Sequence, residues 1–369
     1  MIQRFAGWLV VVGIVLGLSA CDRREPVVIG LIAGLSDRGS DFGESVRNGV
    51  ILAVEQQNAA GGIHGRMIEL VIRDDGQNAE QAVRAARELI ALRPEIVIGP
   101  VTSSMATVVV PLMNEAGLTL ISPTVASPDF AGIDDQFFRV NRSTRTAAEH
   151  HAEVLYGRGA RRTALAFDAG NGPYSRTWVQ AFREKFAALG GTVTTAVAFE
   201  SSAQTGFARI IRDMLPGRPD SLLFIASSLD TARLCQQARR LAPQLPLSST
   251  EWAASGEFLL EMGGEAVEGL LIAHAYDRND TGPFQTFRQQ YRQRFQREFG
   301  SFSLLAYDTA HIVFSALQKR RPGQSMKDAL LTAGPYRGMQ QEIAFDATGD
   351  AGRRVFFTEI RNGLFVQLQ

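Results

Sequence analysis

Glu95-Ile96-Val97-Ile98-Gly99-Pro100-Val101-Thr102-Ser103-Ser104 reads as a strand, a tight turn and the start of a helix. Three hydroxyls, those of Thr102, Ser103 and Ser104, stand beside the free backbone N–H groups of that helix. Such a terminus suits a carboxylate, because the N–H groups and the helix dipole both favour negative charge. The dipole contributes about 0.3–1 kcal/mol, and up to ~2 when the site is partly buried. Taken alone, the same residues serve equally well as a plain Ser N-cap.

Working outward, strands and helices alternate on both sides. Towards the N-terminus the pattern predicts a strand from Val27 to Ile32 and a helix from Phe42 to Ala60. In that helix Phe42, Val46, Val50, Ala53 and Val54 fall at helical spacing, and Gly61-Gly62 stops it. A strand from Met67 to Arg73 and a helix from Ala79 to Leu92 follow. Beyond the quoted stretch come a helix from Ser104 to Ala116, a strand from Leu118 to Ile121, and the polar loop Ser122-Pro123-Thr124-Val125-Ala126-Ser127-Pro128. The rhythm restarts at Phe137 and runs to Ala273, then gives way to two long helices, Pro283 to Glu298 and Leu304 to Lys319. Strands at Gln341 to Phe345, Arg354 to Ile360 and Leu364 to Leu368 close the chain. The fold class is therefore α/β, with largely parallel sheets covered on both faces. Ligands of such sheets bind outside the carboxyl ends of the strands, so two facing halves predict a cleft between lobes.

A chain of 369 residues suggests two domains, and 45% hydrophobic residues suffice for sizeable cores. Lys and Arg number 38 and Asp and Glu 38, so there is no broad basic field to hold nucleic acid. At the N-terminus, Arg4 precedes an apolar run from Ala6 to Leu18. That run is short of the roughly 20 residues a spanning helix needs, and suits the core of a secretory signal. It ends in Leu18-Ser19-Ala20-Cys21, which resembles the lipobox of bacterial lipoproteins and implies cleavage before Cys21 and lipidation of Cys21. Asp22 resembles a signal that keeps some lipoproteins on the inner membrane. Stable attachment then rests on more than one acyl chain. With Cys21 lipidated, Cys235 has no intrachain partner and reads as a small buried hydrophobe.

Catalytic signatures are missing. There is no phosphate-binding Gly-x-x-x-x-Gly-Lys-Ser/Thr loop, no Gly-x-Gly-x-x-Gly turn, no His-Glu-x-x-His and no Gly-x-Ser-x-Gly elbow. His150 and His151 are adjacent, so they point to different helix faces and read as surface or hinge residues rather than a metal pair. Asp74-Asp75 reads as a solvated turn or helix cap. No cofactor, metal or catalytic residue is expected, and the chain is not expected to be an enzyme.

Four stretches carry a specific resemblance: Asp41-Phe42-Gly43 through Asn58-Ala59-Ala60-Gly61-Gly62-Ile63-His64-Gly65; Arg73-Asp74-Asp75 with Ala82-Val83; Ile98-Gly99-Pro100 to Ser122-Pro123; and Phe345-Asp346-Ala347-Thr348-Gly349-Asp350. Together they resemble the branched-chain amino-acid (Leu/Ile/Val-type) periplasmic binding proteins of ABC importers, in order from Val27 to Leu368. The resemblance implies a two-lobed, type I periplasmic-binding-protein-like fold with three hinge crossovers. Its expected division is a signal peptide at 1–20, a lipidated tether at 21–26, a first lobe at 27–140 plus 276–350, and a second lobe at 141–275 plus 351–369. It implies an extracytoplasmic, lipid-anchored protein, on the periplasmic face of the inner membrane, that captures a small amino-acid-like solute, branched-chain or otherwise aliphatic, by lobe closure and hands it to permease and ATPase subunits.

By the same resemblance, Ser103 and Ser104 meet the solute carboxylate, Thr124 offers a backbone group, and Glu251 pairs with the ammonium. Phe42 and Tyr174 supply aromatic walls. Ala126 stands where a Thr hydroxyl is usual, and Ser227 with Ser228 where an aromatic is frequent, so both positions depart from the family pattern. Read without the family, Glu251 is a solvated cap near Ser255, and Trp252 is either a cover over the solute or an ordinary packed Trp. The departures leave room for an amide, a urea or an aromatic acid as cargo, or for a sensor or regulatory lipoprotein on the same scaffold.

Overall fold

The computed structural model describes residues 25–36, 40–141, 143–202, 204–254, 258–278 and 282–368. Signal residues 1–20 and the lipidation site Cys21 lie outside the described residues. Among those described, no helix is long and apolar enough to cross a membrane.

The first sheet contains β1 (Val27–Ala33), β2 (Ile68–Asp74), β3 (Ile96–Ile98), β4 (Leu120–Ser122) and β5 (Phe137–Arg139) in the order β2-β1-β3-β4-β5, all parallel. Helices Ser40–Ala59, Ala79–Leu92 and Ser103–Glu115 connect them. The apolar runs have no alternation because both faces are covered: β3 and β4 are buried throughout.

The second sheet starts with β6 (Arg162–Asp168), β7 (Thr192–Phe199), β8 (Ser221–Ile225), β9 (Leu247–Ser249) and β10 (Leu271–His274), which run parallel. After a small ribbon of β11 (Tyr336–Arg337) and β12 (Glu342–Ile343), β13 (Phe356–Arg361) and β14 (Leu364–Gln367) add antiparallel strands at one edge. The full order is β14-β13-β10-β9-β8-β6-β7.

Each sheet has a place where the strand order reverses: between β1 and β3 in the first and between β6 and β8 in the second. The chain ends leaving these strands diverge there and open a crevice. Segments after β1 and β3 meet segments after β6 and β8 across one cleft.

Helix Ser301–Lys319 joins the first sheet's side by packing along Ser40–Ala59. Phe302 and Phe42 meet edge-on at 4.3 Å, and the Ser45 and Ser303 hydroxyls bond at 2.7 Å. The approach requires Gly49, since a Cβ there would fall 2.2 Å from the Ser303 carbonyl oxygen.

The chain passes between the sheets after β5, after β10, and again before β13. The first and third passages are tied together. The Arg139 N–H donates to the Gly349 carbonyl at 2.9 Å, the Ala351 N–H donates to the Arg139 carbonyl at 3.0 Å, and the Arg139 guanidinium pairs with Asp350 at 2.6 Å. Beside them Arg353 pairs with Asp308 at 2.6 Å, both buried.

Several local expectations are corrected. His151 is not a surface residue: it is buried against Trp178 at 5.4 Å and Phe357 at 5.2 Å, on the apolar side of helix Thr144–Gly157. Asp75 is fully buried rather than solvated, and its Oδ1 accepts from the Gln77 N–H at 2.9 Å. Helix Gly172–Ala188 carries Pro173 in its first turn, where a missing N–H costs nothing. The 341–345 strand shrinks to Glu342–Ile343. The reading of Cys235 as a small buried residue holds, with burial pushing its thiol up to about 12.

Candidate ligand site between two sheets

Helix Ser103–Glu115 starts where β3 ends, and Thr102 caps it, accepting from the Met105 N–H at 3.4 Å. The Thr102 hydroxyl itself donates to Gln77 Oε1 at 2.8 Å. Ser103 is buried and its Oγ accepts from the Ser127 N–H at 3.3 Å. After β4 the loop turns back: the Thr124 hydroxyl donates to the Val101 carbonyl at 2.5 Å, and the Thr124 carbonyl accepts from Asn141 Nδ2 at 3.1 Å. These bonds hold Ser103 and Thr124 side by side at the edge of the first sheet.

From the opposite sheet, β9 delivers Glu251 and Trp252 in a short 3-10 turn. Glu251 is only 7% exposed, which excludes a solvated cap. The Tyr174 hydroxyl donates to Glu251 Oε1 at 3.5 Å, and the Tyr174 ring meets Trp252 edge-on at 5.7 Å. Phe42, Ser103, Thr124, Tyr174, Glu251 and Trp252 all line one inner cavity, with Val101 and Phe302 completing its apolar wall. Its volume is about 20 Å³, room for roughly one water.

An outer cavity of about 340 Å³ adjoins it, sharing Phe42, Asn171 and Trp252. Ser227 lines this outer space, not the inner one, and caps helix Ser228–Leu241 by accepting from the Asp230 N–H at 3.3 Å. Gly43, which lines this space, is needed for the close approach of its helix to the segment after β1, since a Cβ there would strike the Gly34 carbonyl oxygen at 1.8 Å.

Two expected contacts fall elsewhere. Ala126 is buried but lines neither cavity, and its carbonyl is taken by the Thr144 N–H at 2.9 Å and the Thr144 hydroxyl at 2.8 Å. Ser104 also lines neither; its N–H donates across the cleft to Asn171 Oδ1 at 3.1 Å. A second bond between the two sides joins the Ser228 hydroxyl to Asp41 Oδ2.

Sequence reasoning missed Asp168, Asn171 and Glu200. Asp168 ends β6, and Asn171 lies in the Gly170-Asn171-Gly172-Pro173 turn from which only Tyr174 was singled out. Their signal was position: each follows a strand beside the second sheet's reversal point, or its neighbour at the edge. Burial pushes Asp168 up to about 6, helped by the negative charges of Asp230 and Glu200 and opposed by N–H donors from Gly170 and Ser201. Among the described residues no group of three or more His, Cys, Asp or Glu is placed to hold a metal.

A family model described as periplasmic binding protein matches residues 26–363, nearly the whole described chain. The chain belongs to the periplasmic binding protein family. The Leu/Ile/Val-binding protein BraC3 of Rhizobium johnstonii is 27% identical over 338 residues, covering 89% of this chain and 90% of that protein. The branched-chain amino acid substrate-binding protein LivJ of Streptococcus pneumoniae, solved with isoleucine, superposes with a TM-score of 0.84 at 22% identity, covering 93% of this chain and all of that one. A solute-binding protein of R. palustris solved with benzoate gives 0.83 at 17% identity, covering 93% and 95%. This periplasmic binding protein thus has the two-lobed type I fold expected from its sequence. Membership of the family implies an extracytoplasmic place of work.

Proposed function

We propose that this chain is the solute-binding component of an ABC importer and that it captures an amino acid by closing two lobes on it. The observation that carries this reading is that Ser103 and Glu251, from opposite sheets, line the same cavity. A carboxylate fits the Ser103 end, where the helix N-terminus and hydroxyls favour negative charge. An ammonium fits Glu251, a buried carboxylate among aromatic rings. The apolar walls of Phe42, Val101, Phe302 and Trp252 receive the solute's aliphatic carbons. The inner cavity is too small for a whole amino acid with the lobes as they stand, so binding requires them to part and reclose about the solute. A solute that touches both sides favours the closed form by its extra contacts there. The three passages between sheets, near 139–142, 273–277 and 350–353, serve as the hinge. The lobes are residues 27–140 with 276–350 and residues 141–275 with 351–369. Lipid on Cys21 holds the protein at the membrane, where permease and ATPase subunits accept the solute. No chemical step is part of this reading.

A second reading is favoured by one observation: Phe42, Phe302, Tyr174 and Trp252 make the inner cavity strongly aromatic, which suits an aromatic acid. Thermal-shift titration of the purified protein with amino acids, amides and aromatic acids separates the two. Amino acids should raise the melting temperature. A rise with aromatic acids and none with amino acids overturns the first reading in favour of the second.

A further inference from the structure

The outer cavity is large, polar and unused by the head group. It opens directly from the inner cavity past Phe42, Asn171 and Trp252. Gly34, Gly43, Gly76 and Gly170 line it with backbone, and Asp168 and Glu200 give it its charge. No Lys, Arg or His is among its described lining residues.

Asp168 is the informative group. It is 7% exposed, yet it faces the cavity. Its Oδ1 accepts from the Gly170 N–H at 2.9 Å and the Ser201 N–H at 3.4 Å. Its Oδ2 accepts from no described residue. A buried carboxylate with an open oxygen is costly unless a cation or donor meets it. Glu200 stands close enough to act on Asp168 through its charge. Two neighbouring carboxylates repel each other, and one cation between them relieves the repulsion and the burial together.

We propose that the solute carries a second, cationic group, received in the outer cavity by Asp168 and Glu200, so that the cargo is a basic amino acid. This rests on the amino-acid reading above. The carboxylate sits at Ser103, the α-ammonium at Glu251, and the aliphatic stem runs past Phe42 and Trp252. The terminal ammonium or guanidinium then lies against Asp168 Oδ2. The zwitterion is neutral overall, and the added cation offsets one of the two outer carboxylate charges. The raised Asp168 value agrees with this, since such a carboxylate is mainly ionised above pH 6 and gains most from a partner.

Isothermal titration of the purified protein with matched pairs tests it: ornithine against norvaline, and lysine against norleucine, with arginine added. The basic member of each pair should bind at least about tenfold tighter. Glu200→Gln and Asp168→Asn should each cut that ratio by about tenfold. Glu200 is exposed, so its variant keeps the test valid if Asp168→Asn does not fold. Equal or tighter binding of the neutral members, or a ratio unmoved in both variants, overturns the inference while leaving the amino-acid reading intact. If no amino acid of either kind binds, the amino-acid reading itself fails, and this inference with it.

Discussion

The two sides of the cleft are built from the same kind of sheet but offer opposite chemistry. The first side presents hydroxyls, a Gln amide and glycine backbone: Ser103, Thr102, Thr124, Gln77, Gly34 and Gly76. None of the described lining residues from that sheet is ionisable. The second side presents three carboxylates, Asp168, Glu200 and Glu251, with Tyr174 and Trp252. The difference teaches how a cleft can orient a zwitterion without carrying opposite full charges on its two walls. In the proposed function one side attracts an anion through a helix terminus and neutral donors, each worth little alone. The other attracts a cation through carboxylates, of which Asp168 and Glu251 are buried and so cost more when left unpaired.

The asymmetry breaks most sharply at Glu251. In the proposed function, Glu251→Ala strands the ammonium, at a cost of about 2–5 kcal/mol, or roughly 30-fold to several-thousand-fold in affinity. Ser103→Ala removes one hydrogen bond to a charged group, about 1.5–3 kcal/mol. Calorimetric titration of both variants with the same amino acid should rank Glu251 above Ser103. The reverse order, or an unchanged affinity in Glu251→Ala, would mean that the second side does not hold an ammonium.

Without solute, a buried carboxylate should be a burden, and Asp168 shows how large a one. Its value in the folded protein is about 6, against 3.8 for a free Asp. Below pH 3.8 both folded and unfolded chains hold the proton and the group contributes nothing. As pH rises from there to 6, the folded chain keeps a proton that the unfolded chain has lost, so stability falls. Above pH 6 the full penalty stands, about 3 kcal/mol for a shift of this size. Asp168→Asn removes the penalty and can keep the Gly170 bond through its amide oxygen. Denaturant unfolding of the solute-free variant should show higher stability than the parent at pH 7.5, converging with it near pH 4. A variant no more stable at pH 7.5 would show that Asp168 is already compensated.

The order of elements was legible because apolar runs and glycine stops are local signals. Val27–Ala33 and Ala79–Leu92 fall within a residue or so of their expected bounds. Within the site, the resemblance pointed to Ser103 and Glu251, and the structure puts both on one cavity. What the sequence could not give was which side of a loop faces the cleft. Ala126 and Ser104 sit one or two residues from true lining positions, yet their backbone groups are spent on Thr144 and Asn171. His151 was misread because adjacency says only that two neighbours diverge, and not which of them turns inward. Asp168 and Glu200 went unseen because their importance lies in a cavity formed only when two distant segments meet.

The smallest expected effect concerns one of the contacts that join the two sides without any solute. Asn171 comes from the second sheet and accepts the Ser104 N–H of the first at 3.1 Å. That N–H belongs to the same helix terminus that attracts a carboxylate in the proposed function, so the amide is both a latch and a competitor. As a latch, the bond favours closure by about 0.5–1.5 kcal/mol. As a competitor, it withholds one donor from the solute. Asn171→Ala removes both effects, and they oppose each other in the binding constant. The variant should therefore change amino-acid affinity by less than about tenfold, while small-angle scattering of the solute-free protein should show a shift towards more open lobes. Scattering identical to the parent's, with solute absent, would leave the Ser104–Asn171 bond no role in closure and would leave the preference for the closed form to the solute and the Ser228–Asp41 bond.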